Sequence, residues 1–227
     1  MKNPPVTRQT HGFTLIELLA VIGIIAVMMS VAAVGIQNID RGQATISGVT
    51  QVEALMEEAR NLAVGRGTKA RLCIHADPGE TDRYLRFAVV AFEEIVRNES
   101  GEEVNRRWKV PSRGTFLPNG VLFHPSFSQD AASRVQGLGN YGDRDVAITF
   151  PGEGSRNPNY FYWEFNSEGL CVRDGEADPG AAFVLCRGVI TPGTTDPRVI
   201  GNDVAGFIVW RNGRTSSIRD TTFVTRG

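Results

Sequence analysis

The distribution of apolar residues along the chain begins with a sharp boundary. Residues 1–12 are polar and basic and contain no acid, whereas residues 13–36 are almost all apolar, with no charge after Glu17. A bilayer core of about 30 Å takes roughly 20 helical residues. The pattern therefore predicts a membrane-spanning helix over residues 13–36. Basic residues before a span favour a cytoplasmic N-terminus, which would place the rest of the chain outside the cytoplasm.

The apolar residues from Ile36 to Ala63 recur at a spacing close to three or four. This spacing is typical of one face of a helix, and residues 50–66 are rich in strong helix formers. Gly67 is the expected C-cap, because glycine readily adopts the left-handed conformation that ends helices. We therefore predict an amphipathic helix over residues 37–66 whose apolar stripe packs against a following sheet. The stripe comprises Ile36, Ile39, Ile46, Val49, Val52, Leu55, Met56, Ala59 and Ala63.

From Thr68 onward the hydrophobic period becomes two, and turn residues recur at short intervals. Asn212-Gly213 is the strongest two-residue hairpin signal, residues 126–144 are predicted to form a long surface loop, and no helix-length periodic stretch appears after Arg66. Residues 67–227 are therefore predicted to be a head of antiparallel β-sheet packed on the helix, which gives an α+β fold. The predicted strands are 69–75, 84–94, 106–110, 121–123, 145–150, 160–165, 182–189, 204–210 and 215–220.

The composition agrees with a folded head and argues against several classes of function. The 227 residues carry a net charge of −1, with 22% charged and 41% hydrophobic residues. These values argue against a disordered chain and against a global basic field for nucleic acid. No zinc-protease, Cys-x-x-Cys, nucleophile-elbow or phosphate-loop motif occurs, and the proximity of His124 to Ser126 is weak evidence for a nucleophile. We predict a protein that is not an enzyme, with no catalytic residue, cofactor or metal site.

One acidic run places carboxylates at alternate positions, as calcium-binding loops do. It contains Asp174, Glu176 and Asp178. The EF-hand spacing is not met, because Gly175 comes too early and no glutamate follows at the required distance. We therefore predict a solvated acidic loop at this position.

Glu17 is the residue that a plain membrane helix does not explain. A carboxylate within an apolar segment costs on the order of 2 kcal/mol or more at the bilayer centre and calls for a partner. Residues 12–18 have the sequence Gly-Phe-Thr-Leu-Ile-Glu-Leu and follow a short basic leader. This arrangement resembles the type IV prepilin signature. An ordinary signal peptide cleaved near Ala33 and a plain single-pass anchor are the alternatives.

The resemblance implies a set of processing and assembly roles. In type IV prepilins a prepilin peptidase removes the leader, here residues 1–12, by cutting between Gly12 and Phe13, and it usually methylates the new amine of Phe13. The apolar helix anchors the subunit in the inner membrane and later packs with other pilins or pseudopilins, in a fibre built by an inner-membrane assembly platform. Glu17 would meet the Phe13 amine of a neighbouring subunit and set the register, since a mismatched charge in an apolar core is costly. The head would then be periplasmic.

A second resemblance concerns the class of pilin-like protein. The helix end Ala59-Arg60-Asn61-Leu62-Ala63 runs into the predicted strand at residues 69–75, and a late strand covers residues 206–210. This pattern resembles the GspH/FimT class of minor pseudopilins, which implies a subunit of a type II protein secretion system. A minor type IV pilin for motility, adhesion or DNA uptake is one alternative. A membrane-anchored periplasmic binding module is another.

Two basic stretches are candidate nucleic-acid contacts. The C-terminal one contains Arg211, Arg214 and Arg219 beside Trp210, and such a set could bind backbone phosphates. The second stretch, residues 106–109, has the sequence Arg-Arg-Trp-Lys. For both stretches the alternative interpretation is a solvated charged face without a ligand.

The cysteines suggest one candidate disulfide. Cys171 and Cys186 flank a loop rich in glycine and aspartate and lie on segments of β character. Outside the cytoplasm they could pair, with a stabilisation of up to about 3 kcal/mol, and two buried thiols are the alternative. Cys73 is left over and is expected to be buried in the first strand.

Overall fold

The computed structural model describes residues 14–135, 138–145, 147–173, 176–177 and 179–218. The chain divides into two compact units, residues 1–41 and residues 42–227. One long helix, α1 (Leu15–Arg66), contributes to both units. The order of elements, an N-terminal helix followed by a mostly antiparallel β-sheet head, confirms the α+β prediction.

Residues 15–29 of the first unit are helical and expose apolar side chains on all sides. Every large apolar side chain from Leu15 to Met29 is between 45% and 83% exposed. Among the residues that the structure describes, no helix is both long enough and apolar enough to cross a membrane. The membrane-spanning role of residues 13–36 stays a prediction.

The part of α1 in the second unit buries one stripe. Val49, Val52, Met56, Ala59 and Ala63 of the predicted stripe join the main core of the head. Ile46 was predicted to belong to the same stripe, and it is instead 63% exposed. The helix ends as expected at Gly67, whose φ is +63°. The amide of Thr68 donates to the carbonyl of Ala63 at 3.2 Å, which is the bond that closes a glycine-terminated helix end.

Two sheets form the head. The order of the larger sheet is β11-β10-β9-β1-β2-β3-β7-β8, with β4 paired to β2 and β6 paired to β9; the order of the smaller one is β14-β13-β12-β5. All described pairs are antiparallel except β3 with β7. The strands are β1 Ala70–His75, β2 Phe87–Arg97, β3 Glu103–Lys109, β4 Thr115–Phe116, β5 Val121–Phe123, β6 Gly142–Asp145, β7 Ile148–Phe150, β8 Gly154–Arg156, β9 Asn159–Phe165, β10 Cys171–Arg173, β11 Glu176–Ala177, β12 Gly180–Val189, β13 Arg198–Trp210 and β14 Thr215–Ile218.

The predicted surface loop over residues 126–144 is wrong. Residues Pro125–Arg134 form a second helix, α2, and Gly142–Asp145 form β6. The helix begins with Pro125 in its first turn, where proline is well tolerated. Its buried residues are Pro125 and the small side chains of Ser128, Ala131 and Ala132. Small buried residues leave a weak periodic signal, which is why the sequence did not indicate a helix here.

The head contains two cores on opposite faces of β1. Ala70, Leu72 and Ile74 belong to the core that also contains the stripe of α1 and the smaller sheet. Cys73, in alternation with them, belongs to a second and smaller core. Alternating burial on two faces is the expected result for a central strand, because successive side chains point to opposite sides.

Candidate functional site

Glu17 forms a capping box with Thr14 at the start of α1. The amide of Glu17 donates to Oγ1 of Thr14 at 3.3 Å, and the Glu17 Oε2 accepts the amide of Thr14 at 2.9 Å and its hydroxyl at 2.8 Å. The sequence Thr-x-x-Glu is the usual pattern for this reciprocal cap. The carboxylate is therefore held at the first turn of the helix, on the fifth residue after the predicted cleavage site.

The surroundings of Glu17 are apolar and exposed. Leu15, Ile16, Leu18 and Leu19 are each between 59% and 83% exposed, and no further charged residue follows in the sequence until Asp40. Any structure that covers this surface with apolar groups would leave one negative charge to be matched by a cation. Gly12 and Phe13 lie outside the described residues, so the cleavage and methylation sites stay predictions.

The predicted hairpin brings Arg211 and Arg214 together on one turn between β13 and β14. The amide of Trp210 donates to the carbonyl of Arg214 at 2.9 Å, and that of Gly213 donates to the carbonyl of Trp210 at 2.8 Å. Gly213 has a φ of +75°, and Asn212 does not have a positive φ. The turn is therefore a type I turn followed by a left-handed glycine, where the sequence indicated a two-residue turn.

The basic hairpin is exposed and lacks acidic partners within the described part of the chain. Arg211 and Arg214 are exposed, and neither has a carboxylate within ion-pair distance there. Trp210 is 37% exposed and lines an open pocket of about 360 Å³. Arg219 lies outside the described residues. The remaining lining residues of the pocket are Leu170, Pro179, Arg211 and Asn212.

Arg60 of α1 lies against this hairpin. Its Nε donates to the carbonyl of Gly169, in the turn between β9 and β10, at 3.1 Å. A methyl group on Gly213 would lie 2.5 Å from Cδ of Arg60, so the glycine is required for the close approach. Arg60 therefore joins the helix to turns from both sheets. The sequence pattern indicated this residue as part of a motif and did not indicate its contacts.

The second basic stretch is neutralised by neighbouring acids. Arg106 pairs with Glu93 at 3.1 Å, whereas Arg107 and Lys109 pair with Glu94 at 2.6 Å and 3.1 Å. Hydrogen bonds from Arg107 and Lys109 lower the pKa of Glu94. This stretch fits the solvated charged face that was its alternative interpretation.

His124 and Ser126 take part in a helix cap and not in a nucleophilic pair. Nδ1 of His124 accepts the amide of Phe127 at 3.2 Å, so it is an acceptor at the start of α2. The hydroxyl of Ser126 donates to Asp196. A histidine that activates a serine accepts the proton of the serine hydroxyl, and here that proton points to a carboxylate. Of the acidic run, only Glu176 is described, on β11.

The structure does not bring Cys171 and Cys186 together. The amide of Cys171 donates to the carbonyl of Arg211, near the start of β12, whereas Cys186 pairs with Val204 toward its other end. With a rise of about 3.3 Å per residue the two sites lie on the order of 20 Å apart along the strands, and a disulfide needs Cα atoms within about 7 Å. The predicted disulfide is wrong, and Cys171 and Cys186 are two separate buried cysteines. Burial raises the pKa of Cys186 to about 12.

One buried charged pair was missed by the sequence analysis. Nε of Arg71 donates to Oε2 of Glu164 at 2.6 Å, and the guanidinium lies 4.1 Å and 4.2 Å from the ring centres of Trp108 and Tyr162. Lys69 adds a second cation 3.2 Å from the other carboxylate oxygen. The group joins β1 to β9 by compensated charges and aromatic contacts, so its role is to hold the strands.

A family model for the prokaryotic N-terminal methylation motif matches residues 7–33. The match fits the type IV pilin-like and pseudopilin class. It supports a subunit that is processed by a prepilin peptidase and polymerises with other pilins. No curated protein and no solved structure matches the chain at a significant level.

Proposed function

We propose that this chain, which carries the N-terminal methylation motif, is a minor pseudopilin of a type II protein secretion system. The leader of residues 1–12 is removed between Gly12 and Phe13, and the Phe13 amine is methylated. Residues 13–36 anchor the subunit in the inner membrane, with the N-terminus in the cytoplasm and the head in the periplasm. The single observation that supports this proposal most strongly is Glu17, held at the start of a helix whose apolar side chains are exposed.

The assembly mechanism follows from what must cover that helix. The apolar side chains of residues 15–29 are exposed within the subunit, and burying such surface is favourable by about 25 cal/mol per Å². Lipid covers it first, and helices of neighbouring pilins cover it in the fibre. An apolar helix bundle accepts many registers, whereas the Glu17 carboxylate accepts only those that present a cation, here the Phe13 amine of a neighbour.

The assignment to the minor pseudopilin class rests on the helix end and the head. The Ala-Arg-x-x-Ala segment runs into β1, as in that class, and its arginine docks turns from both sheets through Gly169 and Gly213. We also propose that the protein acts by assembly and not by catalysis. The one serine close to a histidine, Ser126, is bonded to a carboxylate as part of a helix start.

The processing step is tested by the mass of the N-terminus. Protein from cells with an active prepilin peptidase is expected to begin at methylated Phe13, and protein from cells without the peptidase is expected to retain residues 1–12. A start near Ala33 in both strains would contradict the proposal and indicate an ordinary signal peptide.

The assembly step is tested with Glu17→Ala. Loss of one partner of a buried charge pair costs about 3–5 kcal/mol, so incorporation into fibres should fall by roughly 100-fold or more while membrane insertion is retained. Glu57→Ala is the matched control, because Glu57 is exposed on the head part of the same helix. Normal assembly of Glu17→Ala would remove the register role and favour the third candidate, a membrane-anchored periplasmic binding module.

A minor type IV pilin that contacts nucleic acid is the second candidate function. The observation that favours it is the hairpin with Arg211 and Arg214, both exposed, beside a pocket lined by Trp210. Arginine side chains contact phosphates and an exposed aromatic ring can stack on a base.

The nucleic-acid candidate is tested by the anisotropy of a labelled single strand at two salt concentrations. Binding that weakens with salt and is lost in Arg211→Ala/Arg214→Ala would support it. Arg106→Ala/Arg107→Ala is the control, since these arginines are paired with Glu93 and Glu94. Equal binding by both double variants would exclude the hairpin as the contact.

A further inference from the structure

The start of α2 is capped by a histidine that must be neutral. Nδ1 of His124 accepts the amide of Phe127 at 3.2 Å, and an imidazole nitrogen can accept only while it carries no proton. The His124 ring stacks on the Phe127 ring with centroids 3.7 Å apart, and its backbone amide donates to Val184 on β12 at 2.9 Å. The ring is 5% exposed, so it is held with little room to move.

A carboxylate lies beside the same nitrogen. Oδ1 of Asp196, in the loop between β12 and β13, lies 3.6 Å from Nδ1 of His124. Asp196 also accepts the amide of Ser126 at 3.1 Å and the Ser126 hydroxyl. Nδ1 of His124 therefore has two neighbours of opposite kind. The Phe127 amide requires an acceptor, and the Asp196 carboxylate requires a donor.

The loop that carries Asp196 is joined to a second loop. The hydroxyl of Tyr84 donates to the carbonyl of Thr195 at 2.7 Å. Residues of both loops, Pro78 and Thr81 on one side and residues 190–194 on the other, line a mostly apolar cleft of about 310 Å³. A change at His124 is thus connected to one wall of this cleft through Asp196.

We propose that protonation of Nδ1 of His124 replaces its hydrogen bond from the Phe127 amide with a hydrogen bond to Asp196. In the neutral state the histidine caps α2; in the protonated state Nδ1 donates to Asp196, and the first turn of α2 loses its cap. The exchange loosens the start of α2 and strengthens the attachment of the loop at residues 190–197. It acts as a proton-controlled contact on one side of the head.

Burial and the neighbouring charged groups act on the pKa of His124 in opposite directions. Burial lowers the pKa of His124, and the charges of Asp196 and Asp130 oppose that shift. Tyr84, Tyr141 and Cys186 lie near Asp196 and have raised pKa values, so they stay neutral. The pKa of His124 therefore lies below the ordinary histidine value of about 6.5, and the ring is neutral at pH 7.

The proposal is tested by hydrogen exchange of the full chain in detergent micelles at pH 7.5 and pH 5.0. After correction for the intrinsic pH dependence, amides at the start of α2 should exchange about fivefold faster in acid, which is the usual effect of a lost cap. Amides of residues 190–197 should be unchanged or slower. Equal protection of α2 at the two pH values would overturn the proposal.

Two further measurements separate this exchange from general acid loosening. His124→Asn keeps a capping side chain that does not titrate, so the acid response of α2 should disappear; an acid response equal to that of the original protein would overturn the proposal. Nitrogen chemical shifts of the unmodified protein at pH 7.5 should show the proton of His124 on Nε2, and a proton on Nδ1 would contradict the capping role. The last readout does not depend on how the variant folds.

Discussion

The two parts of α1 use the same kind of backbone for different purposes. In residues 15–29 the large apolar side chains are exposed by 45% to 83%, all around the helix. In residues 49–63 a single stripe is buried in the core of the head, with Val52, Ala59 and Ala63 fully covered. The first part offers its surface to other molecules, whereas the second uses its surface to fold its own head.

The difference shows that apolar content alone does not identify a folding core. The two parts differ in how their apolar residues are distributed around the helix. A single apolar stripe can pack on one sheet, whereas a helix that is apolar on all sides needs lipid or other helices around it. Substitutions in the first part should therefore change assembly without changing the stability of the head. Substitutions in the second part should do the reverse.

The largest effect is expected for Met56→Ala. Met56 is 1% exposed within the main core, and removing a buried side chain of this size costs about 3 kcal/mol through lost contacts and a cavity. Ile22→Ala is the matched substitution in the first part, where the side chain is 55% exposed. Urea denaturation of the full chain in micelles should show a lower midpoint for Met56→Ala and an unchanged midpoint for Ile22→Ala. A comparable loss in both would mean that the first part also supports the head.

A second effect concerns pH and belongs to the head alone. His75 is fully buried, and among the described residues neither ring nitrogen has a hydrogen-bond partner. Burial is the main cause that lowers its pKa, against the charge of Glu80 at 3.6 Å. The unfolded chain therefore binds the proton more readily than the folded chain does. The stability that neutral His75 contributes is complete above about pH 6.5 and is lost as the pH falls through the folded-state pKa.

The pH effect is tested with His75→Leu. Leucine has a similar volume and does not titrate, so the variant should stay within about 1.5 kcal/mol of the original protein at pH 7.5. Its stability should fall less between pH 7.5 and pH 5.0, as measured by urea denaturation. An identical pH dependence in the two proteins would show that other groups cause the loss of stability in acid.

How much of this molecule was predictable depends on the length of each signal. The stripe of α1 and the long strands β2, β9, β12 and β13 were indicated because a period repeats several times within each. The short strands β4, β8, β10 and β11 were not indicated, because two or three residues are too few for a period to appear. The equally short β5 was indicated, and it directly follows the turn residues Pro118, Asn119 and Gly120. The helix α2 has a histidine cap and small buried residues, which are not the usual signals of a helix start.

Contacts between distant residues were not readable from spacing. Cys171 and Cys186 are close enough in sequence to suggest a bridge, and the register of β12 with β13 separates them. Arg60 belongs to a recognisable helix end, but its contacts depend on where two turns meet it. Arg71 and Glu164 are 93 residues apart and lie directly opposite in the register of β1 with β9. Sheet register decides the first and third of these cases, the meeting of two turns decides the second, and all three depend on the packing of the entire head.

The smallest predicted effects compare three glycines of α1. A methyl group on Gly48 would lie 3.1 Å from Val121 and 3.2 Å from Leu185, whereas at Gly65 and at Gly23 it would meet nothing within 4 Å. Replacing an exposed helical glycine by alanine stabilises a helix by roughly 0.5–1 kcal/mol. Gly65→Ala should therefore raise the stability of the head, and Gly48→Ala should lose that gain through crowding against β5 and β12.

Gly23→Ala tests the first part of the helix. Its added methyl group has no neighbour within the subunit, so the urea midpoint of the head should not move, although the local helix becomes stiffer. In a fibre the same methyl group would face whatever covers the helix, and a close helix contact there would lower assembly while head stability stays constant. A shift of the urea midpoint by Gly23→Ala equal to that of Gly65→Ala would show that the two parts of α1 fold as one unit.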